Sequence, residues 1–584
     1  MAFRPGDKGL KTLWYLAWGD LAREDLAGFS NAVWQDSQFA VFQPTSTSSA
    51  ISFTQSPSKR FVIAGEVWLS SRLAFARECS QWGASGALTD LQLVAIACEQ
   101  WGLETFRQLI GVFSLAIWDR EQQVLSLGRD RAGGRTLYYT TDKGTRWISP
   151  CLRLLNPYHD RTLDEIALRD YLCCAFIPGD RTLWQQVKEL RPGSYLSFPD
   201  EVCCTYWQLP AAGDKAALST PQVSAQQLRI LLDRVVQDAL PSEPVGIFLS
   251  GGLDSSGVTA LATNLHTAPV HTYSIHFGKD RPNELEYSSL VASHCQTQHH
   301  ILEITFRQMW ENLPETMAYL DDPIGDPLTV PNLLLGRLAK KSVNVILNGE
   351  GGDPCFGGPK NQPMLLSELY QGELYPGERK SPEFQQRLLQ AYLRSFHKCA
   401  EDLPQLLKPA VWEAVRQQPS VFSGDLESSD RYLDRLMALN IKFKGADHIL
   451  TKVNNLTRAA GVEGRSPLFD QRIIELSRQI PSEHKISGAQ EKAVLKQALA
   501  DLLPETILHR PKSGMMVPVQ RGFYKYWRRK AKSLLLGRNA AISPYINQSV
   551  IRQWLSYKDD TWQRYGVKLW LLVSLELWLR ENNR

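Results

Sequence analysis

The stretch VGIFLSGGLDSSGVTALA, from Val245 to Ala262, constrains the fold of this chain more than any other part of the sequence. An apolar strand ends at Leu249, a small polar loop follows, and a helix with apolar spacing starts near Gly257. Glycines let the backbone approach an anion closely, and hydroxyls and amides at a helix start donate hydrogen bonds to it. Because the GxxxxGK(S/T) pattern of a Walker loop is absent, the stretch predicts a polyphosphate site of another kind.

The sequence around this loop divides into two parts of different character. Before it, short alternating runs such as RFVIAGEVWLS and GVFSLAIWD predict a mainly β or layered α+β domain. After it, helical patterns alternate with apolar strands such as VHTYSIHF and VNVILN, which predicts a parallel sheet covered by helices. The segment from Leu209 to Gln222 is small, polar and contains Pro and Gly, so the predicted domains are residues 1–210 and 211–584.

Length and charge limit the classes of function. A chain of 584 residues favours two or more domains. A formal net charge of only +4 argues against a dominant role with nucleic acid, and the basic run YKYWRRKAK is predicted to be a solvated helix face. No apolar window reaches the roughly 18 residues of a membrane span and no signal-peptide core is present, so we expect a cytoplasmic protein with no membrane partner. The ten cysteines are scattered and are predicted to be reduced.

Five motifs in order identify a family resemblance. SGGLDSS resembles the pyrophosphate loop of ATP pyrophosphatases, and LNGEGGDPCFGG, GVEGRSPLFD and EKAVLKQALADLLPETILHRPKSG resemble later motifs of the asparagine synthetase superfamily. The strand TYSIHF is similar to the segment that meets adenine there. The resemblance implies a C-terminal ATP-pyrophosphatase domain, of the adenine nucleotide α-hydrolase-like class, with a parallel sheet and helices. It also implies that ATP and Mg²⁺ are used to activate a carboxylate as an acyl-adenylate, which an amine then converts to an amide.

The resemblance assigns roles to particular residues. Asp254 and Asp353 match the magnesium aspartates, and Glu350 matches the position of the base that deprotonates the amine; the alternative is that Glu350 only orients substrate. Glycines around these carboxylates are expected to leave room for ATP. Lys492 and Lys512 match lysines that neutralise the phosphates. The positions that match nucleotide-binding residues are Leu249, Ser250, Gly251, Gly252, Asp254, Ser255, Ser256, Ser274 and Gly349.

Two further segments keep alternative interpretations. Arg465 in GVEGRSPLFD either lines the acceptor site or braces the sheet. The acidic loop YLDDPIGDPLTVPN, from Tyr319 to Asn332, lies where the family lines its substrate pocket, but Asp and Pro there are also explained by turns and helix caps, which we favour.

The N-terminal part resembles a class II glutamine amidotransferase domain, with an Ntn-hydrolase-like layered αββα fold. The resemblance is carried by the segment TDLQLVAIACEQWGLETFRQLIGVFSLAIWDREQQVLSLGRDRAGGRTLYY. That domain uses a cysteine exposed at the N-terminus, whereas position 2 here is Ala2 and the first cysteine is Cys79. We therefore expect a degenerate domain that releases no ammonia from glutamine.

An enzyme without its own ammonia takes its amine from elsewhere. The form GEGGDPCFGGPKN resembles the one in lasso peptide cyclases. In β-lactam synthetases the base position resembles Tyr rather than Glu, so Glu350 weighs against that branch. We therefore expect a macrolactam synthetase that joins an Asp or Glu side chain of a precursor peptide to the peptide's N-terminal amine. A leader peptidase and a leader-binding protein are expected partners. An ammonia-dependent asparagine synthetase, a β-lactam synthetase-like enzyme and a non-catalytic ATP-binding scaffold remain alternatives.

Overall fold

The computed structural model describes residues 14–19, 21, 32–42, 53–82, 86–213, 218, 220–278, 284–358, 382–428, 431–488, 490–510, 517–558 and 564–583. The chain forms two compact units. The first comprises Met1–Leu163 and Gly179–Leu209, and the second comprises Asp164–Pro178 and Pro210–Arg584. Among the described residues, no helix combines the length and the apolar character needed to cross a membrane.

The first unit is built on twelve short strands. They are β1 (Tyr15–Trp18), β2 (Ala32–Gln35), β3 (Phe39–Phe42), β4 (Phe53–Gln55), β5 (Phe61–Leu69), β6 (Gly111–Asp119), β7 (Val124–Arg129), β8 (Tyr138–Asp142), β9 (Thr145–Ser149), β10 (Lys188–Glu189), β11 (Ser194–Phe198) and β12 (Val202–Thr205). The described strands form two antiparallel sheets of six, with orders β10-β8-β9-β1-β3-β2 and β12-β11-β7-β6-β5-β4.

Side chains of both sheets share one core. Leu16 and Val41 from the first sheet pack in one buried cluster with Val62, Ala116 and Leu127 from the second. Alternate residues of β5 and β6 point the other way, which is the period-2 pattern of a strand that is buried on both faces. Two packed sheets are the centre of the layered architecture that the sequence predicts.

Helices cover the second sheet of this unit. The helices here are α1 (Arg72–Ser80), α2 (Asp90–Trp101) and α3 (Thr105–Gln108), with 3-10 turns at Gly102–Glu104 and Leu152–Tyr158. The start of α2 is fixed by a capping box, in which Thr89 accepts from Gln92 and the Gln92 side chain accepts from Thr89. Val94 and Cys98 of α2 are buried against Ile63 and Leu115. The predicted Ntn-hydrolase-like class is confirmed.

The second unit has a single parallel sheet. Its strands are β13 (Val245–Phe248), β14 (Val270–His276), β15 (Gln298–Glu303), β16 (Val345–Leu347) and β17 (Glu463–Arg465). Their order is β15-β14-β13-β16-β17, and every neighbouring pair is parallel. This confirms the predicted ATP-pyrophosphatase-like class. Because parallel strands end at the same edge, the loops after β13 and β16 meet there.

Helices surround the sheet and extend beyond it. They are α4 (Glu165–Cys174), α5 (Pro221–Ala239), α6 (Leu253–Leu265), α7 (Leu285–His294), α8 (Phe306–Tyr319), α9 (Thr329–Ala339), α10 (Gly352–Phe356), α11 (Pro382–Arg394), α12 (Leu403–Leu406), α13 (Pro409–Val415), α14 (Ser423–Leu426), α15 (Tyr432–Leu439), α16 (Thr451–Ala460), α17 (Gln471–Gln479), α18 (Ser482–Lys485), α19 (Ala493–Ala498), α20 (Glu505–His509), α21 (Val519–Gly522), α22 (Arg528–Leu535), α23 (Gln548–Ser556) and α24 (Tyr565–Asn582). Two π-helical segments, Asn440–Leu450 and Phe523–Trp527, join α15 to α16 and α21 to α22.

Helix α4 belongs to the second unit although it precedes the predicted linker. The Tyr171 hydroxyl donates to the carbonyl of Leu571 at 2.9 Å, and the Arg169 guanidinium donates to the carbonyls of Val415 and Gln418 at 3.1 and 2.7 Å. A buried arginine needs several acceptors, and these carbonyls supply them. This excursion of the chain was not predicted from the sequence.

Candidate active site

The loop after β13 is held in a tight turn by its own hydroxyls. The Ser255 hydroxyl accepts from the backbone N–H of Ser250 at 3.2 Å, and the N–H of Gly252 donates to the Ser250 hydroxyl at 3.3 Å. Gly251 has a φ of +77°, and a Cβ there would lie 2.6 Å from the backbone nitrogen of Ser288. Only glycine fits at that position. The loop leads into the first turn of α6 and so presents backbone N–H groups at a helix start.

The loop after β16 packs directly on the start of α6. A Cβ on Gly349 would lie 2.4 Å from the backbone nitrogen of Ser255, and one on Gly352 would lie 2.2 Å from Oδ1 of Asp254. The glycines of this loop therefore make room for Asp254 and Ser255, in addition to any nucleotide. This close approach of the two loops was not predicted from the sequence, and the expectation that the glycines leave room for ATP stays a prediction.

Lys492 joins the carboxylates of the two loops. Its ammonium lies 2.5 Å from Oδ2 of Asp254 and 2.5 Å from Oδ1 of Asp353. The lysine is buried, and its left-handed backbone (φ 52°) precedes α19. Burial by itself lowers the pKa of Lys492, but attraction to the two carboxylates outweighs burial and raises it. Three residues predicted from three separate motifs are thus in direct contact.

A cavity of ≈ 360 Å³ opens beside these groups. Most of the residues predicted to bind nucleotide line it: Leu249, Ser250, Gly252, Asp254, Ser255, Ser274 and Gly349. Gly251 and Ser256 are not among its lining residues. The Ser256 side chain is fully buried within the packing of α6, and the Gly251 carbonyl accepts from Arg510 at 2.9 Å. Lys512 lies outside the described residues.

Arg510 and Lys496 also line this cavity, and sequence reasoning did not single them out. The guanidinium of Arg510 pairs with Glu284 and lies 4.0 Å from the ring centroid of Tyr287. Arg510 therefore ties the segment after α20 to the phosphate loop. Its position two residues before Lys512, in HRPKSG, was the available signal.

A second cavity of ≈ 280 Å³ adjoins the first, and both are lined by Asp254, Leu328, Gly349, Glu350 and Asp353. Its remaining walls come from distant parts of the second unit: Cys174, Ala175, Phe176, Asp326, Gly351, Pro354, Phe396, Lys398, Lys444, His448, Ile449 and Lys452. We call it the acceptor cavity. The sequence predicted Glu350 and Asp353 there but none of the cations.

Glu350 stands at the junction of the two cavities. Its backbone N–H donates to the Asn348 side chain at 3.0 Å, which orients the loop. Burial raises the pKa of the Glu350 carboxyl; Lys452 lowers it, and Asp326 and Asp353 raise it further. The net effect is a raised pKa, which is the direction that a proton acceptor working near neutral pH requires.

The acceptor cavity has a charged wall and an aromatic wall. In the charged wall, the Lys452 ammonium lies 2.6 Å from Oδ2 of Asp326. In the aromatic wall, the His448 ring stacks on Phe176 with centroids 5.2 Å apart, and Phe396 lies edge-on to Phe176 at 6.0 Å. Burial lowers the pKa of His448 to about 4, so this ring is neutral at pH 7.

Asp326 lies in the acidic loop Tyr319–Asn332, for which the sequence left two interpretations open. Its Oδ1 accepts from the N–H of Leu328 at 3.0 Å, as predicted for a turn-forming Asp, while its Oδ2 pairs with Lys452. Burial raises the pKa of Asp326, but Lys452 and His448 outweigh burial and hold it well below its usual range. Asp326 is therefore both a turn residue and a wall of the acceptor cavity.

The Asp326–Lys452 pair makes a testable contribution to stability. We expect Lys452→Met to lower the free energy of unfolding by about 3–5 kcal/mol, because it leaves a buried carboxylate unpaired. The double variant with Asp326→Asn should recover most of that loss. Since the folded-state pKa of Asp326 is depressed, the stabilisation is present above the carboxyl's unfolded pKa and is lost as pH falls. Denaturant titration at pH 7, and at values below about pH 4 where the carboxyl of the unfolded chain is protonated, measures both effects.

A matched control for this pair lies on the π-helical segment Asn440–Leu450, just before the helix that carries Lys452. Lys442 pairs with Asp425 but is much more exposed, so Lys442→Met is expected to cost less than about 1 kcal/mol. Equal losses for Lys452→Met and Lys442→Met would contradict the assigned burial effect.

Arg465 braces the sheet in this structure. Its guanidinium donates to the carbonyl of Ala239 at 2.8 Å and to Glu463 at 2.9 Å. It is not among the residues that line either cavity. Of the two interpretations of Arg465, the geometry therefore favours the structural one.

The two aspartates fit a magnesium site. Oδ1 of Asp254 is buried and has no hydrogen-bond partner in the part of the chain that the structure describes. The Asp353 carboxylate is close by, because it pairs with the same Lys492 ammonium as Asp254. A buried, unsatisfied carboxylate oxygen suits a hard cation, and Mg²⁺ commonly takes one or two carboxylates with phosphate oxygens and water. No group of three or more His, Cys, Asp and Glu suited to a metal occurs among the described residues, which agrees with so small a protein ligand set.

The cysteines of the first unit do not resemble activated nucleophiles. Cys79 and Cys98 are buried in the core of α1 and α2, and burial raises their pKa values to about 11 and about 12. Cys151 is buried as well, and burial raises the pKa of the exposed-strand residue Cys203. A thiolate nucleophile needs a lowered pKa. Cys79, Cys98 and Cys203 are therefore not thiols of that kind.

Comparison with known families decides the class of the whole chain. The model of the asparagine synthase family matches residues 227–580, which include the parallel sheet, both loops, the whole first cavity and all of the acceptor cavity except Cys174, Ala175 and Phe176. This chain belongs to the asparagine synthase family. The glutamine amidotransferase domain model matches residues 36–207, which lie in the first unit except for Asp164–Pro178. Enzymes of this family are ATP-dependent ligases that form amides, and the chain is a ligase of this class.

Curated relatives are similar over most of their length. Asparagine synthetase [glutamine-hydrolyzing] 1 of Bacillus subtilis is 24% identical over 518 residues, which are 84% of this chain and 80% of that protein. A putative asparagine synthetase [glutamine-hydrolyzing] of Mycobacterium bovis is 26% identical over 547 residues, which are 84% of this chain and 79% of that protein. Identities this low leave room for a different substrate.

Proposed function

We propose that this chain is a macrolactam synthetase of the lasso peptide type. It activates an Asp or Glu side chain of a precursor peptide with ATP and joins that carboxyl to the peptide's N-terminal amine, releasing AMP and pyrophosphate. The observation that carries the proposal is the aromatic wall of the acceptor cavity, formed by Phe176 and Phe396. Free aspartate and ammonia present no apolar surface to such a wall, whereas a peptide does.

The first unit supports an amine source other than glutamine. Burial raises the pKa values of Cys79, Cys98 and Cys203, which disfavours in these thiols the thiolate that glutamine hydrolysis requires. Without ammonia from that reaction, the amine is free ammonia or enters with the substrate. A peptide N-terminus supplies such an amine and tethers it to the carboxyl that it attacks, which reduces the entropic cost of the reaction.

The nucleotide cavity supplies the groups for adenylation. The phosphate loop from Ser250 to Ser255 provides backbone N–H groups and hydroxyls, and Lys492 provides a buried cation. Asp254 and Asp353 would hold Mg²⁺, which neutralises phosphate charge when bound. In the proposed step, a substrate carboxylate oxygen bonds to the α-phosphorus, and the bond between the α-phosphorus and its bridging oxygen breaks to release pyrophosphate.

The acceptor cavity supplies the groups for amide formation. One ammonium proton first passes to Glu350, and the amine nitrogen then bonds to the acyl carbon. AMP leaves with the electrons of the broken acyl–oxygen bond, and the second proton on nitrogen is released to solvent. The raised pKa of Glu350 suits that proton transfer. An orienting role for Glu350 is the alternative, and the two roles predict different kinetics.

The proposal is tested by offering the protein ATP, Mg²⁺ and a linear peptide with a free N-terminus and an Asp or Glu side chain some residues further on. We expect AMP and pyrophosphate to form, together with a peptide product that has lost one water and resists aminopeptidase. Asp254→Asn should abolish this product. Glu303→Gln, an exposed change at the end of β15, should leave it unchanged.

The alternative products contradict the proposal in distinct ways. Asparagine formed from aspartate, ATP and ammonium, with no reaction of peptides, would identify an ammonia-dependent asparagine synthetase. A small cyclic product from a single β-amino acid-like substrate would point to a β-lactam synthetase-like enzyme. A leader peptidase and a leader-binding protein are proposed partners, and their addition should raise the rate only for a substrate that carries its leader.

Lys398 is expected to act on substrate affinity. Its ammonium lines the acceptor cavity and makes no ion pair among the described residues, and burial lowers its pKa although Asp326 opposes this. A cation in this position attracts an anionic group of the substrate. We expect Lys398→Met to raise KM for the peptide about 10-fold with a smaller change in kcat. An unchanged KM, measured by steady-state pyrophosphate release, would rule out this contact.

A further inference from the structure

The charge of this chain is unevenly distributed along the sequence. Between Glu505 and Asp559 there are 11 Lys and Arg and no Asp or Glu. The rest of the chain carries all 61 acidic residues and only 54 basic ones. It therefore has a net negative charge, although the net charge of the whole chain is +4. A solvated helix face normally mixes both signs, so this segregation asks for a physical explanation.

The structure places the densest part of this segment on one exposed helix face. This part of the chain comprises α21, the π-helical segment Phe523–Trp527 and α22. The buried side chains on its inner side are Val519, Phe523, Trp527, Ala531 and Leu535. Its outer side carries six exposed cations and two exposed tyrosines: Arg521, Lys525, Arg528, Arg529, Lys530, Lys532, Tyr524 and Tyr526. We call this outer side the basic face.

Nothing in the described part of the chain neutralises the basic face. None of its six cations forms an ion pair with a described carboxylate, although ion pairs are common elsewhere in the second unit. Among the described residues, the single interaction of its cations with another side chain is that of Lys530, 5.9 Å from the ring centroid of Trp310. Like charges three or four residues apart on a helix destabilise it, so the face carries a cost that no ion pair with a described residue offsets.

We propose that the basic face binds an acidic segment of a polypeptide. Carboxylates spaced along an extended or helical segment would neutralise the stripe of cations, and a charged face of this kind accelerates association as well as strengthening it. The negative remainder of the chain would keep the segment aligned with this face and away from other surfaces. The proposal concerns binding alone and does not depend on the identity of the amide product.

The tyrosines favour a peptide over a nucleic acid. Binding of single-stranded nucleic acid uses open aromatic rings on which bases stack. The Tyr526 ring is already stacked on Phe306 with centroids 4.7 Å apart, and Tyr524 lies edge-on to Tyr557 at 5.6 Å. In addition, the net negative remainder of the chain would repel a long phosphate backbone beyond this face. Each tyrosine still presents its hydroxyl and one edge, which suits hydrogen bonds to a peptide.

The test measures binding of a fluorescein-labelled, Glu- and Asp-rich peptide without aromatic residues to the full-length protein, by anisotropy at several salt concentrations. We expect the triple variant Lys525→Glu, Arg529→Glu and Lys532→Glu to weaken binding at least about 10-fold. The matched control is Arg234→Glu, Lys341→Glu and Lys408→Glu, which changes the net charge equally at exposed positions outside the face. It should change the affinity less than twofold.

Each other outcome overturns the proposal. Equal weakening of binding in both triple variants would show a non-specific effect of net charge. Absence of binding at low salt would show that the basic face does not bind an acidic peptide. A single-stranded oligonucleotide that binds the wild type more tightly than the peptide, and loses that affinity in the first triple variant, would assign the face to nucleic acid instead. Circular dichroism and pyrophosphate release from ATP by each variant confirm that folding and the nucleotide site are intact.

Discussion

Replacing Lys492 by Met is expected to stop amide formation and to lower the free energy of unfolding by about 3 kcal/mol. The ammonium lies 2.5 Å from a carboxylate oxygen of both Asp254 and Asp353, and its removal leaves two neighbouring anions without their shared cation. Loss of one partner of a buried ion pair costs about 3–5 kcal/mol, and the lower end applies because Asp353 is partly exposed. Denaturant unfolding and pyrophosphate release measure the two effects.

Magnesium provides an independent measurement for the same variant. If Asp254 and Asp353 bind Mg²⁺, the ion can replace the missing positive charge, so saturating Mg²⁺ should raise the Tm of Lys492→Met more than that of the wild type. The matched control is Lys496→Met, which removes a cation from the wall of the same cavity without breaking an ion pair. Equal stability of Lys492→Met and Lys496→Met would contradict the central role of the Lys492 bridge.

Changing Glu350 to Gln is expected to separate the two half-reactions. Amide formation should fall by about 10²–10⁴-fold, because a positioned base contributes that much, while exchange of pyrophosphate into ATP persists. The variant should be as stable as the wild type or slightly more stable at pH 8, since burial raises the pKa of Glu350 and disfavours its charged form in the fold. In the wild type, amide formation should rise with pH through that raised pKa.

The prediction for Glu350→Gln has a matched control and a defined result that would contradict it. Glu303→Gln removes an exposed carboxylate at the end of β15, the edge strand of the same sheet, and should leave both half-reactions unchanged. A parallel loss of pyrophosphate exchange and amide formation in Glu350→Gln would favour the orienting role over the base. Rapid-quench measurement of the acyl-adenylate distinguishes these results, because the intermediate accumulates only when the second step is impaired.

The catalytic loops show how far local sequence can reach. Each lies after an apolar strand, and the alternation of strands and helices requires a parallel sheet, whose strands end at one edge. The approach of Asp254 and Asp353 therefore followed from the sequence. Lys492 was assigned by resemblance alone; its left-handed backbone and its bridge between both aspartates depend on where α19 packs, which no local pattern encodes.

The acceptor cavity shows where local sequence stops. Its walls come from α4 near Phe176, the loop at Asp326, the segment after α11 at Lys398 and the π-helical segment at His448. Of these segments, the family resemblance pointed only to the loop at Asp326 as a possible pocket wall. In the sequence alone, Lys398 and His448 look like ordinary polar residues. Their side chains become a binding wall only when tertiary packing brings them together.

The sequence by itself determined the two-part organisation, the parallel sheet, and the pair of loops that carry Asp254, Glu350 and Asp353. These features depend on strand and helix periods and on turn residues, which act over a few neighbouring positions. Only the tertiary structure decided that α4 joins the second unit and which cations line the acceptor cavity. It also decided that the glycines of the loop after β16 pack against Asp254 and Ser255. Those outcomes depend on contacts between residues hundreds of positions apart, and such contacts are set by packing and burial of the whole unit.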